Sequence, residues 1–114
     1  MTERIKVISS HKSRYPNPIR FEPGEILTLG RRDSEYTGWI WVTTPSGDQG
    51  WAPEQIITTT APIRGVAERA YCARELDTIE GEPLTLHNEL NGWIWVENEN
   101  GDCGWIPKET TTAT

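Results

Sequence analysis

The five residues Gly38-Trp39-Ile40-Trp41-Val42 recur, letter for letter, at positions 92–96. Successive side chains of a β-strand point to opposite faces, so Ile40 and Val42 share one face and the two indoles share the other. The glycine before the run is typical of a turn that leads into a strand. We therefore predict that each stretch is a β-strand whose aliphatic side chains fill a core and whose tryptophans form an exposed aromatic shelf.

The two strands belong to a longer internal repeat. Residues 24–29 match residues 81–86, and residues 47–53 match residues 101–107. A repeat of this kind predicts two similar structural units rather than one domain. Alternating apolar positions, interrupted every few residues by glycine or proline, predict an all-β protein without helices.

The repeat sets the predicted domain boundaries. The first domain is expected at residues 4–57 and the second at residues 66–111. Residues 58–65 form a short polar run with one proline and one glycine, which is typical of a linker. The chain is thus expected to fold as two small β-barrels in tandem.

Turn chemistry fixes the register of the central hairpin in each copy. Residues 45–47 and 99–101 are three-residue loops with glycine last, a pattern that favours a type I turn closed by a G1 bulge. A slip of one residue would move every core side chain to the other face. The predicted cross-strand partners are Trp39 with Pro53, Ile40 with Ala52, Trp41 with Trp51, Trp93 with Pro107, Ile94 with Ile106, and Trp95 with Trp105.

Composition excludes several classes of function. Acidic residues outnumber basic ones 17 to 11, for a net charge of −6. This balance argues against a nucleic-acid partner held by phosphate charge. The N-terminal stretch MTERIKVISSHKSR is charged and has no long apolar run, which predicts no membrane association and a cytoplasmic location.

Catalysis and metal binding are not expected either. The thiol and imidazole side chains are those of Cys72, Cys103, His11 and His87, and none has a recognised catalytic or zinc-binding spacing. Both cysteines fall in the second half of the chain, so we expect free thiols. The sequence predicts a protein that is not an enzyme and that needs no cofactor.

In their order and spacing, these segments resemble SH3 (Src-homology-3) domains. The resemblance rests on residues 75–82 (ELDTIEGE), then 92–93 (GW) and 104–107 (GWIP) in the second copy. The first copy shows it through Ile19, Phe21, 24–25 (GE), 38–39 (GW) and 50–53 (GWAP). Together the two copies cover nearly the whole chain and are similar to bacterial tandem variant-SH3 proteins.

The resemblance implies a five-stranded, partly open barrel for each copy, with a groove for an extended peptide, often a proline-rich one. Carried over by position, the ligand-binding residues would be Trp39 and Pro53 in the first copy and Trp93, Pro107, Tyr71, Glu75 and Asp77 in the second. Most of the two tyrosines that open the family's domains are missing here. The first is replaced by Ser9 in the first copy and by Arg69 in the second, and the second tyrosine is replaced by His11 in the first copy. Tyr15 and Tyr36 are the candidates for substitute rings.

Two functions remain open on the sequence alone. The first is an adaptor that binds a protein or peptide ligand through its aromatic grooves. The second is a scaffold whose aromatic faces join the two domains or the two subunits of a homodimer. Charge divides unevenly, because residues 1–57 carry seven basic and seven acidic side chains and residues 58–114 carry four and ten. The acidic charge of the second copy either meets a basic partner, or serves solubility alone, or pairs with the first copy's Arg14, Arg20, Arg31 and Arg32.

Overall fold

The protein is built almost entirely of β-strands. A computed structural model describes residues 3–13 and 18–113, and within these ranges the only helical segments are 3-10 turns at Glu54–Ile56 and Lys108–Thr110. The all-β prediction is confirmed. Contacts divide the chain into two compact units. Unit 1 consists of Met1–Pro16 and Arg74–Thr114, and unit 2 is the continuous segment Asn17–Ala73.

Unit 2 contains a five-stranded antiparallel sheet in the order β5-β4-β3-β7-β6, together with a small pair of strands, β2 and β8. The edge strands β5 and β6 do not pair with each other, so the sheet is open rather than closed into a barrel. Its strands are β2 (Arg20–Phe21), β3 (Ile26–Arg32), β4 (Trp39–Thr43), β5 (Gln49–Pro53), β6 (Ile57–Ala61), β7 (Arg64–Ala67) and β8 (Tyr71–Cys72).

Unit 1 repeats this arrangement with the strand order β11-β10-β9-β1-β12. Strand β1 occupies the position that β7 occupies in unit 2, between the long bent strand and the edge strand. The strands are β1 (Glu3–Val7), β9 (Pro83–Leu90), β10 (Trp93–Glu97), β11 (Cys103–Pro107) and β12 (Thr111–Ala113).

The predicted register of both central hairpins is confirmed. Trp41 lies opposite Trp51 and Trp95 lies opposite Trp105, and the flanking pairs are also as predicted. Gly47 and Gly101 close the two turns with φ of 94° and 85°. Glycine adopts this left-handed conformation without the steric penalty that a Cβ atom would bring.

Each unit has its own aliphatic core. In unit 2 the core includes Leu27, Ile40 and Val42, and in unit 1 it includes Leu84, Ile94 and Val96. Ile40, Val42, Ile94 and Val96 come from the face of each central hairpin that alternation assigned to the interior. Burial of apolar surface is the main term that holds such small units together.

The tryptophans lie outside the two core clusters, but the expectation that they are exposed is wrong for Trp39 and Trp105. Trp39 and Trp105 are each only 7% exposed, and the other four indoles are half-buried. Two of the rings pack edge to face across the β4–β5 hairpin, with Trp41 and Trp51 centroids 5.1 Å apart. Large rings on the outer face of a small sheet therefore cover one another, because edge-to-face pairs add to the energy of area burial.

The opening strands of the two sequence copies are exchanged between the units. Strand β1 pairs with β9 and β12 of the second copy, while β7, the opening strand of the second copy, pairs with β3 and β6 of the first. Residues 58–65, expected to be a linker, lie instead in β6, β7 and the turn between them. Units defined by contacts thus differ from the domains 4–57 and 66–111 that the repeat suggested.

Side-chain size explains which opening strand enters which sheet. In unit 2 the inward positions of the exchanged strand are Gly65 and Ala67, and a Cβ atom at Gly65 would lie 2.6 Å from Cγ2 of Ile57. In unit 1 the same two positions hold Ile5 and Val7, both buried. Because the β-branched Ile57 side chain has few alternative rotamers, the unit 2 position accepts only a strand without a side chain at that point.

We expect Gly65→Ala to destabilise the protein by about 1–3 kcal/mol, since the new methyl group overpacks against Ile57. Without that clash the same change would stabilise the chain by restricting its unfolded state. Urea unfolding of the single variant, of Ile57→Ala and of the double variant measures the coupling between the two positions. In a protein that already carries Ile57→Ala, the loss in free energy of unfolding caused by Gly65→Ala should be smaller by about 1 kcal/mol. An undiminished cost would contradict the steric argument.

Unit 2 should fold on its own, because residues 17–73 contain its whole sheet and its whole core. A fragment of residues 17–73 is expected to give dispersed amide NMR signals and a cooperative urea transition. The fragment 4–57, cut at the boundaries of the sequence repeat, lacks β7 and should show neither. If the fragment 4–57 unfolded as cooperatively as 17–73, strand exchange would not be needed for folding.

Candidate functional site

In unit 1, a tryptophan and a proline lie side by side at the end of the central hairpin. Trp93 begins β10, Pro107 ends β11, and the two are register partners. Both side chains are half-buried, so part of each ring remains accessible. Asn91 and Gly92 form the turn before Trp93, with φ of 52° and 85°. The accessible parts of these two side chains are the candidate ligand-contact surface of unit 1.

His11 packs beside Trp93 in unit 1. Its imidazole ring meets the indole edge-on, with ring centroids 5.7 Å apart and planes at 82°. Its Nε2–H donates a hydrogen bond to Oε1 of Glu75 over 2.7 Å. The side chains of His11 and Glu75 are only 14% and 9% exposed. Since a buried carboxylate is costly without a partner, this pair holds the ring against the tryptophan.

The segment that contains His11 is attached to the loop of the second copy by further bonds. His11 and Thr78 exchange backbone hydrogen bonds in both directions. The backbone N–H of Ser13 donates to Oδ1 of Asp77 over 2.6 Å, and that of Glu80 donates to Oγ of Ser10 over 3.0 Å. The first loop of unit 1 is therefore built from two chain segments, residues 8–13 and 74–82, that are far apart in the sequence.

Gly104 allows this loop to lie against β11. The N–H of Trp105 donates to the carbonyl of Arg74, and the N–H of Leu76 donates to the carbonyl of Trp105. A Cβ atom at Gly104 would lie 2.7 Å from the backbone nitrogen of Leu76. The glycine of the Gly-Trp motif therefore makes the close approach that places Glu75 next to His11.

The corresponding residues of unit 2 do not form an open surface. Trp39 is buried, and Pro53, its register partner, is fully buried. Tyr71 belongs to this unit, where its hydroxyl donates to the carbonyl of Trp51 over 3.4 Å and its ring packs on Phe21. The pair in unit 2 that corresponds to Trp93 and Pro107 is thus buried.

The remaining predicted aromatic residues are dispersed. Tyr36 is 53% exposed in the turn between β3 and β4, where its backbone N–H donates to Asp33. Tyr15 lies outside the described residues. Of the eight predicted site residues that the structure describes, four lie in unit 1: Trp93, Pro107, Glu75 and Asp77.

A second aromatic cluster in unit 2 includes a cation. The guanidinium of Arg31 lies 5.6 Å from the ring centroid of Trp41 and 5.3 Å from that of Trp51. Attraction between a cation and an indole face is worth about 0.5–1 kcal/mol at an exposed position. In unit 1 the equivalent indoles, Trp95 and Trp105, pack on each other with centroids 5.4 Å apart.

Strand exchange changes the distribution of charge. It carries Arg4 of the first copy onto the acidic second copy, where the guanidinium contacts Oε1 of Glu99 at 2.7 Å and Oγ1 of Thr85 at 3.2 Å. Of the arginines expected to pair with acids of the second copy, Arg32 instead pairs with Glu54 inside unit 2. Exposed pairs of this kind contribute about 0–1 kcal/mol each, so they guide the exchange less than core packing does.

The cysteines are free thiols, as predicted. Burial, with the nearby carboxylates of Glu97 and Asp102, raises the pKa of the Cys103 thiol above its ordinary value, against an opposing effect from Arg74. The thiol therefore stays protonated at neutral pH and is a weak nucleophile. No helix among the described residues is long and apolar enough to cross a membrane.

Comparison with protein families agrees with this fold. Residues 4–58 match the variant SH3 domain, and residues 59–112 match the bacterial SH3 domain. The chain therefore belongs to the SH3 family and consists of two SH3-like domains in tandem. SH3 domains are generally non-catalytic modules that bind proteins or peptides. The searches of curated proteins and of solved structures give no match.

His11 is the site residue that sequence analysis missed. The repeat places it at the position of a family tyrosine in the first copy. Strand exchange instead places it beside Trp93 of the second copy. The signal that could have revealed this was the difference in size between the two opening strands: one carries Ile5 and Val7, whereas the other carries Gly65 and Ala67 next to Ile57.

Proposed function

We propose that this chain is an adaptor that binds an extended, proline-containing segment of a partner protein on the groove of unit 1. The observation that carries the proposal is the difference between two equivalent pairs. Trp93 and Pro107 are half-buried, whereas Trp39 and Pro53 are buried. An extended ligand with prolines fits a shallow aromatic surface, because its conformation is already ordered before binding.

The acidic residues of the first loop divide into two roles in this proposal. Glu75 is engaged by His11 and nearly inaccessible, so it positions the His11 ring rather than meeting the ligand. Asp77 is exposed, although one of its oxygens accepts the Ser13 N–H. A basic residue next to the proline segment of the ligand would meet Asp77, with an attraction that salt screens.

A scaffold in which aromatic faces join two copies has less support. Trp41 and Trp51 are in contact with each other and with Arg31, and Trp95 is in contact with Trp105. These contacts within each unit cover part of the indole surface that a dimer interface would need.

The test compares Trp93→Phe with Trp39→Phe, the same substitution at equivalent register positions. Binding is followed by NMR titration with a peptide that has two prolines in PxxP spacing and one arginine. We expect Trp93→Phe to weaken binding by roughly tenfold, as loss of a central aromatic contact does, and Trp39→Phe to leave the affinity within about twofold. Amide shifts should concentrate on residues 8–13 and 91–93. Equal losses in the two variants, or shifts confined to unit 2, would contradict the proposed site.

A further inference from the structure

All cross-strand partners of β1 lie in unit 1. Ile5 pairs with Leu84 on one side and Ala113 on the other, and Val7 pairs with Thr111. Unit 2 is complete without this strand, because β7 fills the equivalent place in its sheet. Residues 8–16 connect β1 to unit 2, which begins at Asn17. Every contact of β1 could therefore be made equally well by β1 of another molecule.

We propose that the space between β9 and β12, here called the strand seat, also accepts residues 3–13 of a second copy of this chain. Two copies then exchange these segments reciprocally and form a dimer. Each unit 1 of the dimer keeps the sheet order β11-β10-β9-β1-β12, with β1 supplied by the other copy. Domain exchange of this type needs no new interface, since it reuses the contacts of the monomer.

Side-chain size restricts which sheet can accept a β1 strand that has left its own unit. The strand seat in unit 1 accommodates Ile5 and Val7, which are 4% and 0% exposed. The equivalent place in unit 2 is closed to an isoleucine, because at Gly65 even a Cβ atom would lie 2.6 Å from Ile57 and 3.3 Å from Leu29. A β1 strand that leaves its seat is therefore not accepted by unit 2, and the sheet position that fits it is the strand seat of its own or of a second copy.

Charge complementarity favours the same occupant. Residues 3–13 carry three Lys or Arg side chains and one Glu, whereas the acceptor side of unit 1 presents Glu75, Asp77 and Glu99. Three of the donor's polar groups meet these acids: the imidazole of His11, the N–H of Ser13 and the guanidinium of Arg4. Another molecule's segment would make the same three contacts.

The length of the connection between β1 and unit 2 determines the protein concentration at which β1 pairs with another molecule as readily as with its own. A short tether gives an effective concentration of the order of millimolar. Exchange is therefore expected when the chain refolds at about millimolar concentration.

The dimer would affect the groove as well as the sheet. His11 is part of the exchanged segment, so the imidazole ring beside Trp93 would come from the second copy. This consequence rests on the proposed function, but the dimer itself does not. A covalent trap tests the dimer without any peptide ligand, so failure of one proposal is distinguishable from failure of the other.

The experiment uses full-length chains in which Cys72 and Cys103 are replaced by serine. One chain carries Lys6→Cys and the other carries Thr112→Cys, at exposed positions that are register partners across β1 and β12. Directly paired strand residues have Cα atoms about 4.5–5.5 Å apart, within the range that a disulfide spans. The two chains are mixed, unfolded in urea, refolded together at about 1 mM and then oxidised.

The matched control replaces Thr112→Cys with Thr58→Cys. Thr58 is exposed and occupies the equivalent edge-strand position in unit 2, opposite Val66 of β7. A single chain with both Lys6→Cys and Thr112→Cys checks that the disulfide forms within one molecule. Non-reducing electrophoresis measures the covalent dimer, and mass spectrometry of digested protein identifies the linked peptides.

We expect an interchain disulfide between positions 6 and 112 in about a tenth or more of the protein, and at least tenfold less disulfide between positions 6 and 58. Three results would overturn the proposal. They are the absence of the interchain disulfide between positions 6 and 112, equal amounts of both disulfides as random collision would give, and failure of the single-chain variant to form its own disulfide.

Discussion

At Gly65 the backbone of β7 passes so close to Ile57 that a Cβ atom would lie 2.6 Å from the isoleucine methyl group. This approach determines which opening strand the sheet of unit 2 accepts. Strand β7 fits because its inward positions are Gly65 and Ala67, while β1 brings Ile5 and Val7 to the same register. Strand β1 therefore completes the other sheet, and the two sequence copies fold as exchanged partners rather than as separate domains.

The exchange makes the two units unequal in their surfaces although they are alike in fold. It moves Tyr71 into unit 2, where its ring packs on Phe21, and it moves His11 into unit 1, beside Trp93. Trp39 and Pro53 of unit 2 are buried, whereas Trp93 of unit 1 is half-buried and has the His11–Glu75 pair beside it. In the function that we propose, ligand contact is thus concentrated on a single unit of the tandem.

Local rules predicted much of the fold. Period-two alternation identified Ile40, Val42, Ile94 and Val96 as core residues, and turn chemistry at Gly47 and Gly101 gave the hairpin registers. Alternation and turn chemistry can be read from the sequence because each depends only on residues a few positions apart in the chain. The exposure of Trp39 was predicted wrongly, because burial of an outer-face ring depends on what covers the sheet. The place of His11 could not be predicted from the repeat. An opening strand can pair with its own sequence copy or with the other copy, and the volumes of the side chains in β6 and β7 decide between the two.

The most direct test of strand exchange is a set of cross-strand nuclear Overhauser effects in the dilute full-length protein. The exchanged fold predicts contacts from Lys6 to Thr112 and from Val66 to Thr58. Independent folding of the two sequence copies would instead give contacts from Lys6 to Thr58 and from Val66 to Thr112. Observation of that second pair would contradict the exchange, and with it the placement of His11 beside Trp93.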